Sequence, residues 1–482
     1  MKMDDLHGKS VVILGLGQEG AATFRYLRGR MRDKLIGLAD QMNLERLSPE
    51  IQRVIGTDPL IKCHLGEGYL EGLPLYDVIV KAPGIPLSMP ALQQALAAGK
   101  TLTSHTEIFF SNCPGVIIGV TGTKGKSTTA SLIQAILSAG GFQSFLVGNI
   151  GNPPLRFLDR AGPETFFVYE LSSHQLDGLS KSPHIAVVLN IVPEHLDYYR
   201  DFEAYAAAKR NIAGHQTEGD FLIYNADHPL PVSFAAASRA RGIPFSLRSP
   251  LRPGCFLEDG RVIYCSPEGS QSVLLRVDDV PLPGTFNLNN VLPAAAVGHL
   301  LGVPADSISS AIRGFRPLEH RLELVGTFDG VTFYDDALAT VPEATMGALD
   351  ALGSGVQTIL LGGYERHLDF SGLADRLMRS GVETVILFPT TGRRIWEALE
   401  ACRHLRPTMP EAFFVEGMAE AVAVAYARTT PGKVCLHSPA SPSFGLFRNY
   451  RQRGDLFKRY VRLGKRQGVR ITESPGAEGK GT

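Results

Sequence analysis

Short apolar runs recur along this chain, each ending in glycine or a polar group and most leading into a stretch with helical spacing. Val11-Val12-Ile13-Leu14 runs into Gly15-Leu16-Gly17-Gln18-Glu19-Gly20 and a helical pattern to about Leu27. A second run over 35–39 stops at Asp40, and a third, Val78-Ile79-Val80-Lys81, stops at Ala82-Pro83-Gly84 before a short helical pattern over 91–98. Val116-Ile117-Ile118-Gly119-Val120 precedes Thr121-Gly122-Thr123-Lys124-Gly125-Lys126-Ser127-Thr128, after which Ile133, Ile136 and Leu137 are spaced as on a helix. Phe166-Phe167-Val168-Tyr169 leads to Glu170, and Ile185-Ala186-Val187-Val188-Leu189 leads to Asn190. A helix is expected over 202–212, strand-like and turn-rich chain over 220–278, and another helix from about Asn287. Beyond Phe315-Arg316-Pro317 the alternation resumes, with strands over 331–334, 358–361, 382–387 and 434–437, and helices over 343–352, 373–378, 394–401 and 418–428.

Strands alternating with helices specify a mostly parallel sheet with helices on its faces, and ligands then collect at the carboxyl ends of the strands. The 482 residues exceed one ordinary core. The pattern divides them into an N-terminal Rossmann-like domain (1–112), a central P-loop ATPase-like domain with a parallel sheet (113–317) and a C-terminal Rossmann-like domain (318–473). The Gly- and Pro-containing tail 474–482 is expected to be disordered.

Composition narrows the function. Lys plus Arg and Asp plus Glu number 48 each, so no net field draws the chain to nucleic acid or a membrane surface. Six scattered cysteines without a C-x-x-C pair argue against a zinc site or a disulfide framework. No apolar run reaches 18 residues and Met1-Lys2-Met3-Asp4-Asp5 carries no signal core, so a soluble cytoplasmic protein is expected.

The strongest chemistry lies at 121–128. Glycines let backbone approach a polyphosphate, N–H groups at the helix start point at it, Lys126 supplies positive charge, and Ser127 or Thr128 can reach Mg²⁺. Val120 stands where the strict G-x-x-x-x-G-K-[ST] pattern has its first glycine. Glu170, Asn190 and His195, at the ends of the next two apolar runs, should converge on the phosphates. The G-x-G-x-x-G turn with Asp40 about twenty residues on fits a dehydrogenase, or a module binding another nucleotide. Several of these residues have plainer readings: a solvated surface lysine for Lys209, four residues after Tyr205, and helix caps for Asn287 and Asn290.

Taken together, the chain resembles the Mur ligases, ATP-dependent amide-forming enzymes of peptidoglycan synthesis, and within them the glutamate-adding MurD type. The likeness rests on T-G-T-x-G-K-S-T at 121–128, E-L-S-S-x-Q-L at 170–176, N-I-x-P-E-H-L-D at 190–197, Y-x-x-x-K at 205–209, N-x-x-N at 287–290, His320-Arg321, S-P-A-S-x-S-F from Ser438, and Q-R-G-D at 452–455. The resemblance implies that Gly122, Thr123, Lys124, Gly125, Lys126, Ser127, Thr128, Asn287, Asn290, Arg321 and Asp336 bind ATP. It implies Mg²⁺ held by Ser127, Glu170, His195 and a carbamylated Lys209, with Lys126, His195 and Lys209 as the catalytic set. The UDP-bearing substrate would meet Gly17, Asp40, Gly84, Asn149 and Ser172, and glutamate would meet Thr340, Arg366, Ser443, Phe444 and Tyr450. The expected reaction activates the alanine carboxylate of UDP-N-acetylmuramoyl-L-alanine as an acyl phosphate, which the glutamate amine attacks. Domain closure brings amine and acyl group together, a positioning effect worth roughly 7–11 kcal/mol in favourable cases. The small-molecule substrates define the partners, and a monomer with no nucleic acid or membrane insertion is expected.

Two departures bear on the amino acid. Where the MurD type reads N-D-S-K-A-T-N, this chain has Asp335-Asp336-Ala337-Leu338-Ala339-Thr340-Val341, and Arg366 stands where a lysine is usual. D-glutamate is the leading expectation and L-glutamate the alternative. Further rivals are another Mur or folylpolyglutamate-type ligase and a catalytically silent nucleotide-binding protein.

Overall fold

A computed structural model describes residues 1–6, 8–149, 152–195, 198–282, 284–316, 319–366 and 368–464. The tail 474–482, Asp197 and Pro317 lie outside them. The chain forms two compact units, one of residues 1–281 with 287–315 and one of 282–286 with the chain from Arg316. The first unit holds two of the three sheets. The split therefore differs from a simple three-way division, because the two N-terminal sheets share one continuous apolar core running from Leu6 to Phe234.

The first sheet contains β1 (Val11–Leu14), β2 (Ile36–Asp40), β3 (Ile61–Leu65), β4 (Val78–Lys81) and β5 (Thr101–Ser104), in the order β3-β2-β1-β4-β5. All its pairings are parallel. Strand order reverses between β1 and β4, so the turns after Leu14 and after Lys81 lie side by side at the switch point where such sheets bind ligands.

The second sheet contains β6 (Val116–Thr121), β7 (Ser144–Gly148), β8 (Phe166–Glu170), β9 (Ile185–Val188), β10 (Phe221–Asn225), β11 (Arg241–Ser246), β12 (Gly254–Glu258), β13 (Arg261–Cys265) and β14 (Gln271–Arg276). Their order is β14-β13-β12-β11-β10-β9-β6-β8-β7. The parallel expectation holds from β7 to β12, but β12, β13 and β14 form an antiparallel extension. The turns Asp259-Gly260 and Pro267-Glu268-Gly269-Ser270 are too short for a crossover and permit only hairpins. The turn-rich stretch also contains a helix, Pro229–Ala237, where strand was expected; proline in its first turn and the alanines after Phe234 favour that state. Because β6 lies between β9 and β8, the carboxyl ends of β8 and β9 flank the glycine loop that follows β6.

The third sheet, in the second unit, contains β15 (Glu323–Phe328), β16 (Val331–Asp335), β17 (Val356–Gly362), β18 (Thr384–Phe388), β19 (Glu411–Phe414) and β20 (Val434–His437), in the order β15-β16-β20-β17-β18-β19. Only the β15–β16 pair is antiparallel. β20 inserts between β16 and β17, which gathers Asp335-Asp336, Ser438 and Gly362-Gly363 at one sheet end. The helix Tyr450–Leu463 closes the unit, started by the Asn449 side chain accepting from the Gln452 N–H. No helix among the described residues is long and apolar enough to cross a membrane.

Candidate active site

The loop between β6 and the helix Lys126–Ala139 is the centre of the first unit. Gly125 has φ +88°, and a β-carbon there would stand 2.2 Å from Asn290 Oδ1. Left-handed backbone and close approach both require glycine. The loop is anchored from the β9 side: Asn190 O accepts from Thr123 N at 2.6 Å and Asn190 Oδ1 from Lys124 N at 3.0 Å. Thr123 Oγ1 also donates to Val192 O at 3.1 Å.

Three lysines meet this loop in different ways. Lys124 Nζ pairs with Glu194 Oε1 at 2.7 Å. Lys126 Nζ folds back on its own turn, donating to Gly122 O at 2.9 Å and Thr123 O at 2.8 Å. Lys209 Nζ donates to the same Gly122 O at 2.9 Å and lies 4.9 Å from the centre of the Tyr205 ring. Lys209 is 1% exposed, so the surface-lysine alternative is overturned. Burial pushes its amine well below the ordinary lysine range; Lys126 adds to the depression, while Glu194 and Glu170 partly oppose it. Burial alone would raise the Glu194 carboxyl, but Lys124, Lys126 and His195 hold it below its usual value.

Glu170 ends β8 fully buried. Its Oε1 accepts from Asn149 Nδ2 at 3.0 Å, and its Oε2 has no hydrogen-bond partner. A buried carboxylate oxygen left without a donor is costly unless a cation occupies its other side. Oxygen donors from Glu170 and Ser127 suit Mg²⁺, so the residues present fit that ion. His195 is half-exposed, with φ +58° and its Nε2 3.7 Å from Glu194 Oε2.

Asn287 and Asn290 lie behind the loop, both buried. Asn290 Nδ2 donates to Asn287 Oδ1 at 2.9 Å, and Thr129 Oγ1 donates to Asn290 Oδ1 at 3.3 Å. The capping alternative fails, since Asn287 heads its helix with no side-chain cap bond.

At the first sheet's switch point, Gly17 and Gly84 face open space where a β-carbon would meet nothing within 4 Å. Asp40 is buried and its carboxylate is engaged by backbone: Oδ2 accepts from Leu16 N at 2.7 Å and Oδ1 from Met42 N at 2.9 Å. Its carboxylate thus shapes the glycine turn, while each oxygen, accepting one backbone bond, keeps a lone pair for the ribose or base contact expected. The Ser172 hydroxyl likewise forms a capping box with Gln175. Gln175 in turn donates to Glu19 Oε1 at 2.5 Å, tying the first sheet's helix Gln18–Arg30 to the second sheet. Glu19 was not singled out by sequence reasoning; burial raises its carboxyl to about 7.

In the second unit Asp335 is fully buried between two imidazoles, accepting from His320 Nδ1 at 2.7 Å and His437 Nδ1 at 2.8 Å. Asp336 accepts from Leu322 N at 3.1 Å and the Ser438 hydroxyl at 2.8 Å, and burial raises it to about 7. Arg321, half-buried, partly counters that rise. Thr340 is half-buried and Ser443 buried, whereas Arg366 and Phe444 are exposed. The Phe444 ring meets Tyr364 edge-on at 6.2 Å and Tyr450 meets His320 at 6.0 Å.

The Q-R-G-D stretch, a likeness without a role in the sequence, acquires one here. Arg453 is 0% exposed and donates to Ser441 O at 3.0 Å and Ala337 O at 2.9 Å, fastening the loop after β20 to the loop after β16. Gly454 leaves the room that His320 and Asp335 occupy, since a β-carbon would fall 2.1 Å from His320 Nδ1.

Comparison with known proteins accounts for this arrangement. The family description "Mur ligase MurD-like, N-terminal domain" matches residues 9–104, "Mur ligase middle domain" 120–298, and "Mur ligase, glutamate ligase domain" 320–441. A UDP-N-acetylmuramoylalanine--D-glutamate ligase of Symbiobacterium thermophilum is 36% identical over 454 residues, covering 93% of this chain and 97% of its own. One of Geobacillus kaustophilus is 35% identical over 455 residues, covering 93% and 96%. Among solved structures, the UDP-N-acetylmuramate-alanine ligase MurC of Thermotoga maritima shares the fold with a TM-score of 0.57 at 15% identity, covering 95% of this chain and 100% of its own. MurF of Acinetobacter baumannii does so at 0.58 and 15%, covering 94% and 93%. Three successive domain matches and near-complete alignment to these relatives show that the chain belongs to the Mur ligase family.

Proposed function

We propose that this protein is an ATP-dependent ligase joining D-glutamate to UDP-N-acetylmuramoyl-L-alanine in cytoplasmic peptidoglycan precursor synthesis, working as a monomer with Mg²⁺. The observation that carries the reading is the convergence of Lys126, Lys209 and the unpartnered Glu170 oxygen around one glycine loop. The names of the relatives support the substrate pair.

A carboxylate is a poor electrophile. In the proposed reaction a substrate carboxylate oxygen attacks the γ-phosphorus of ATP, the bond to the β-phosphate oxygen breaks, and ADP leaves. Loop N–H groups and Lys126 hold the negative charge that develops on the transferred group. Mg²⁺, when bound by Glu170, His195 and Ser127, supplies further charge neutralisation. The glutamate amine then adds to the acyl carbon, and the tetrahedral adduct expels inorganic phosphate to leave the amide.

Lys209 suits carbamylation. Only a neutral amine attacks CO₂, and the burial that depresses this amine well below the ordinary lysine range favours its neutral form. The carbamate so formed would carry two oxygens toward Glu170 and place an anion facing Lys126.

The L-glutamate alternative rests on the loop after β16, where Leu338 replaces a lysine, and on exposed Arg366, whose forked donors grip a carboxylate differently from a lysine. Phosphate release from ATP with UDP-N-acetylmuramoyl-L-alanine and either enantiomer decides. Turnover with D-glutamate is expected; turnover with L-glutamate alone would move the function to the alternative, and none with either would refute the ligase reading.

A further inference from the structure

Between β9 and the helix Phe202–Gly214 the chain passes over the glycine loop as an aromatic-rich segment. The His174 ring, projecting from the short helix Ser173–Leu176, stands edge-on to His195 at 4.9 Å and to Tyr198 at 4.2 Å, and lies 5.7 Å from Tyr199. Tyr199 packs on Tyr205 at 5.5 Å, and Tyr205 covers Lys209. The Tyr198 hydroxyl donates to Pro83 O at 3.2 Å, in the turn of the first sheet that carries Gly84. Two observations set His174 apart from ordinary packing. It contacts both a proposed magnesium ligand and the residue that reaches the substrate turn, and the His195 it contacts has left-handed backbone, which is uncommon for a non-glycine residue.

We propose that His174 is a positioning residue that holds His195 in its metal-facing orientation, and that Tyr198 couples this same segment to the turn that receives the UDP-bearing substrate. The proposal rests on the functional reading above. Its content is mechanical: the left-handed His195 backbone is held by the Tyr198 and Tyr199 N–H groups, which both donate to His195 O at 3.0 Å, and the His174 ring standing edge-on to the imidazole restrains the side chain. Removing the ring releases His195, whereas removing the Tyr198 hydroxyl leaves the ring stack intact and frees only the tie to Pro83.

The test compares full-length His174→Ala, His174→Phe and Tyr198→Phe with the parent chain. Mn²⁺ binding in saturating ADP, followed by the electron paramagnetic resonance signal of the free ion, reads the metal site without turnover; binding of UDP-N-acetylmuramoyl-L-alanine by calorimetry reads the other end. His174→Ala should weaken Mn²⁺ about tenfold, and His174→Phe, which keeps an edge-on ring, should recover to within about threefold of the parent. Tyr198→Phe should leave Mn²⁺ binding unchanged and weaken the UDP substrate about fivefold. Parent-like Mn²⁺ binding by His174→Ala, no recovery in His174→Phe, or parent-like substrate binding by Tyr198→Phe would overturn the proposal. If His174→Ala fails to fold, His174→Leu takes its place with the same expectations. Should the parent bind Mn²⁺-ADP and the UDP substrate but ligate neither enantiomer of glutamate, the functional reading fails while the positioning experiment still gives its answer.

Discussion

Replacing Arg453 with methionine separates the structural cost of this residue from its effect on the site it organises. The buried guanidinium donates to two backbone carbonyls, Ser441 O and Ala337 O, and pairs with no carboxylate among the described residues. Burial pushes it down to about 10 from 12.5, with Asp335 and Asp336 only partly compensating. At 1.36 kcal/mol per unit, that depression is an unfavourable term of about 3 kcal/mol, present in full at neutral pH because the group stays charged below its folded pKa. Against it, Arg453→Met strands two carbonyls, at about 1–3 kcal/mol each. The terms nearly cancel, and methionine fills much of the volume. Stability should therefore change by no more than about 3 kcal/mol, far less than removal of a well-paired buried charge would cost.

The functional effect should be larger and selective. Arg453 is the fastening between the loop bearing Asp336 and Thr340 and the loop bearing Ser443. With it gone, those loops separate, and the KM for glutamate should rise about tenfold while the KM for UDP-N-acetylmuramoyl-L-alanine stays within about twofold. Urea unfolding measures the first quantity and steady-state phosphate release the second. A folded Arg453→Met protein with an unchanged glutamate KM would refute the reasoning, since some other group would then have to hold the loops.

Three further outcomes follow from the same geometry. Lys126→Ala should reduce phosphate release at least about a thousandfold, because the amine that neutralises the transferred phosphate is lost from the loop it folds back on; near-parent turnover would remove the loop from the chemistry. Lys209→Ala should be almost inactive and partly restored by small carboxylic acids occupying the space of the missing carbamate, whereas full activity in the untreated variant would refute carbamylation. Gly454→Ala should destabilise the second unit by more than about 3 kcal/mol, since its β-carbon displaces His320 or Asp335 from a pair with almost no solvent access; a parent-like thermal midpoint would show that this pair yields readily.

Alternation of apolar runs and helical spacing was enough to place most strands, because buried parallel strands are written as continuous Val, Ile and Leu. Glycines and charged residues at the run ends marked the loops for the same local reason. What the chain order does not display is strand order in the sheet. That β20 inserts between β16 and β17, and so brings Ser438 to Asp336, depends on pairings across about a hundred residues. The antiparallel extension was missed because short hairpin strands alternate weakly between apolar and polar positions. Arg453 escaped a role because its partners are backbone carbonyls, which leave no sequence signal. His174 escaped because a histidine in the variable position of a motif has no meaning until its neighbours are known. Asp40 was assigned to ligand from the spacing of a fingerprint, and that spacing did not reveal that its carboxylate also accepts from two backbone N–H groups.

The lysines around the loop show why such a site is best read as an electrostatic whole. Lys126 and Lys209 share one carbonyl acceptor, and Lys124 is held by Glu194 nearby, so in the absence of a polyphosphate the site concentrates positive charge in a poorly solvated place. Burial depresses the Lys209 amine well below its ordinary range and Lys126 adds to that depression, so the neutral form is favoured at the most buried of the three lysines. That preference has chemical consequences. In the proposed function a neutral Lys209 would leave the phosphate to Lys126 and could itself take up CO₂. Under the proposed carbamylation, the carbamate would add negative charge near the Glu170 oxygen that lacks a donor, and the two together would favour a bound cation. The same burial that makes Lys209 look misplaced as a cation thus fits the proposed site, in which polyphosphate, metal and carbamate would balance one another and removal of any one would leave the others with uncompensated charge.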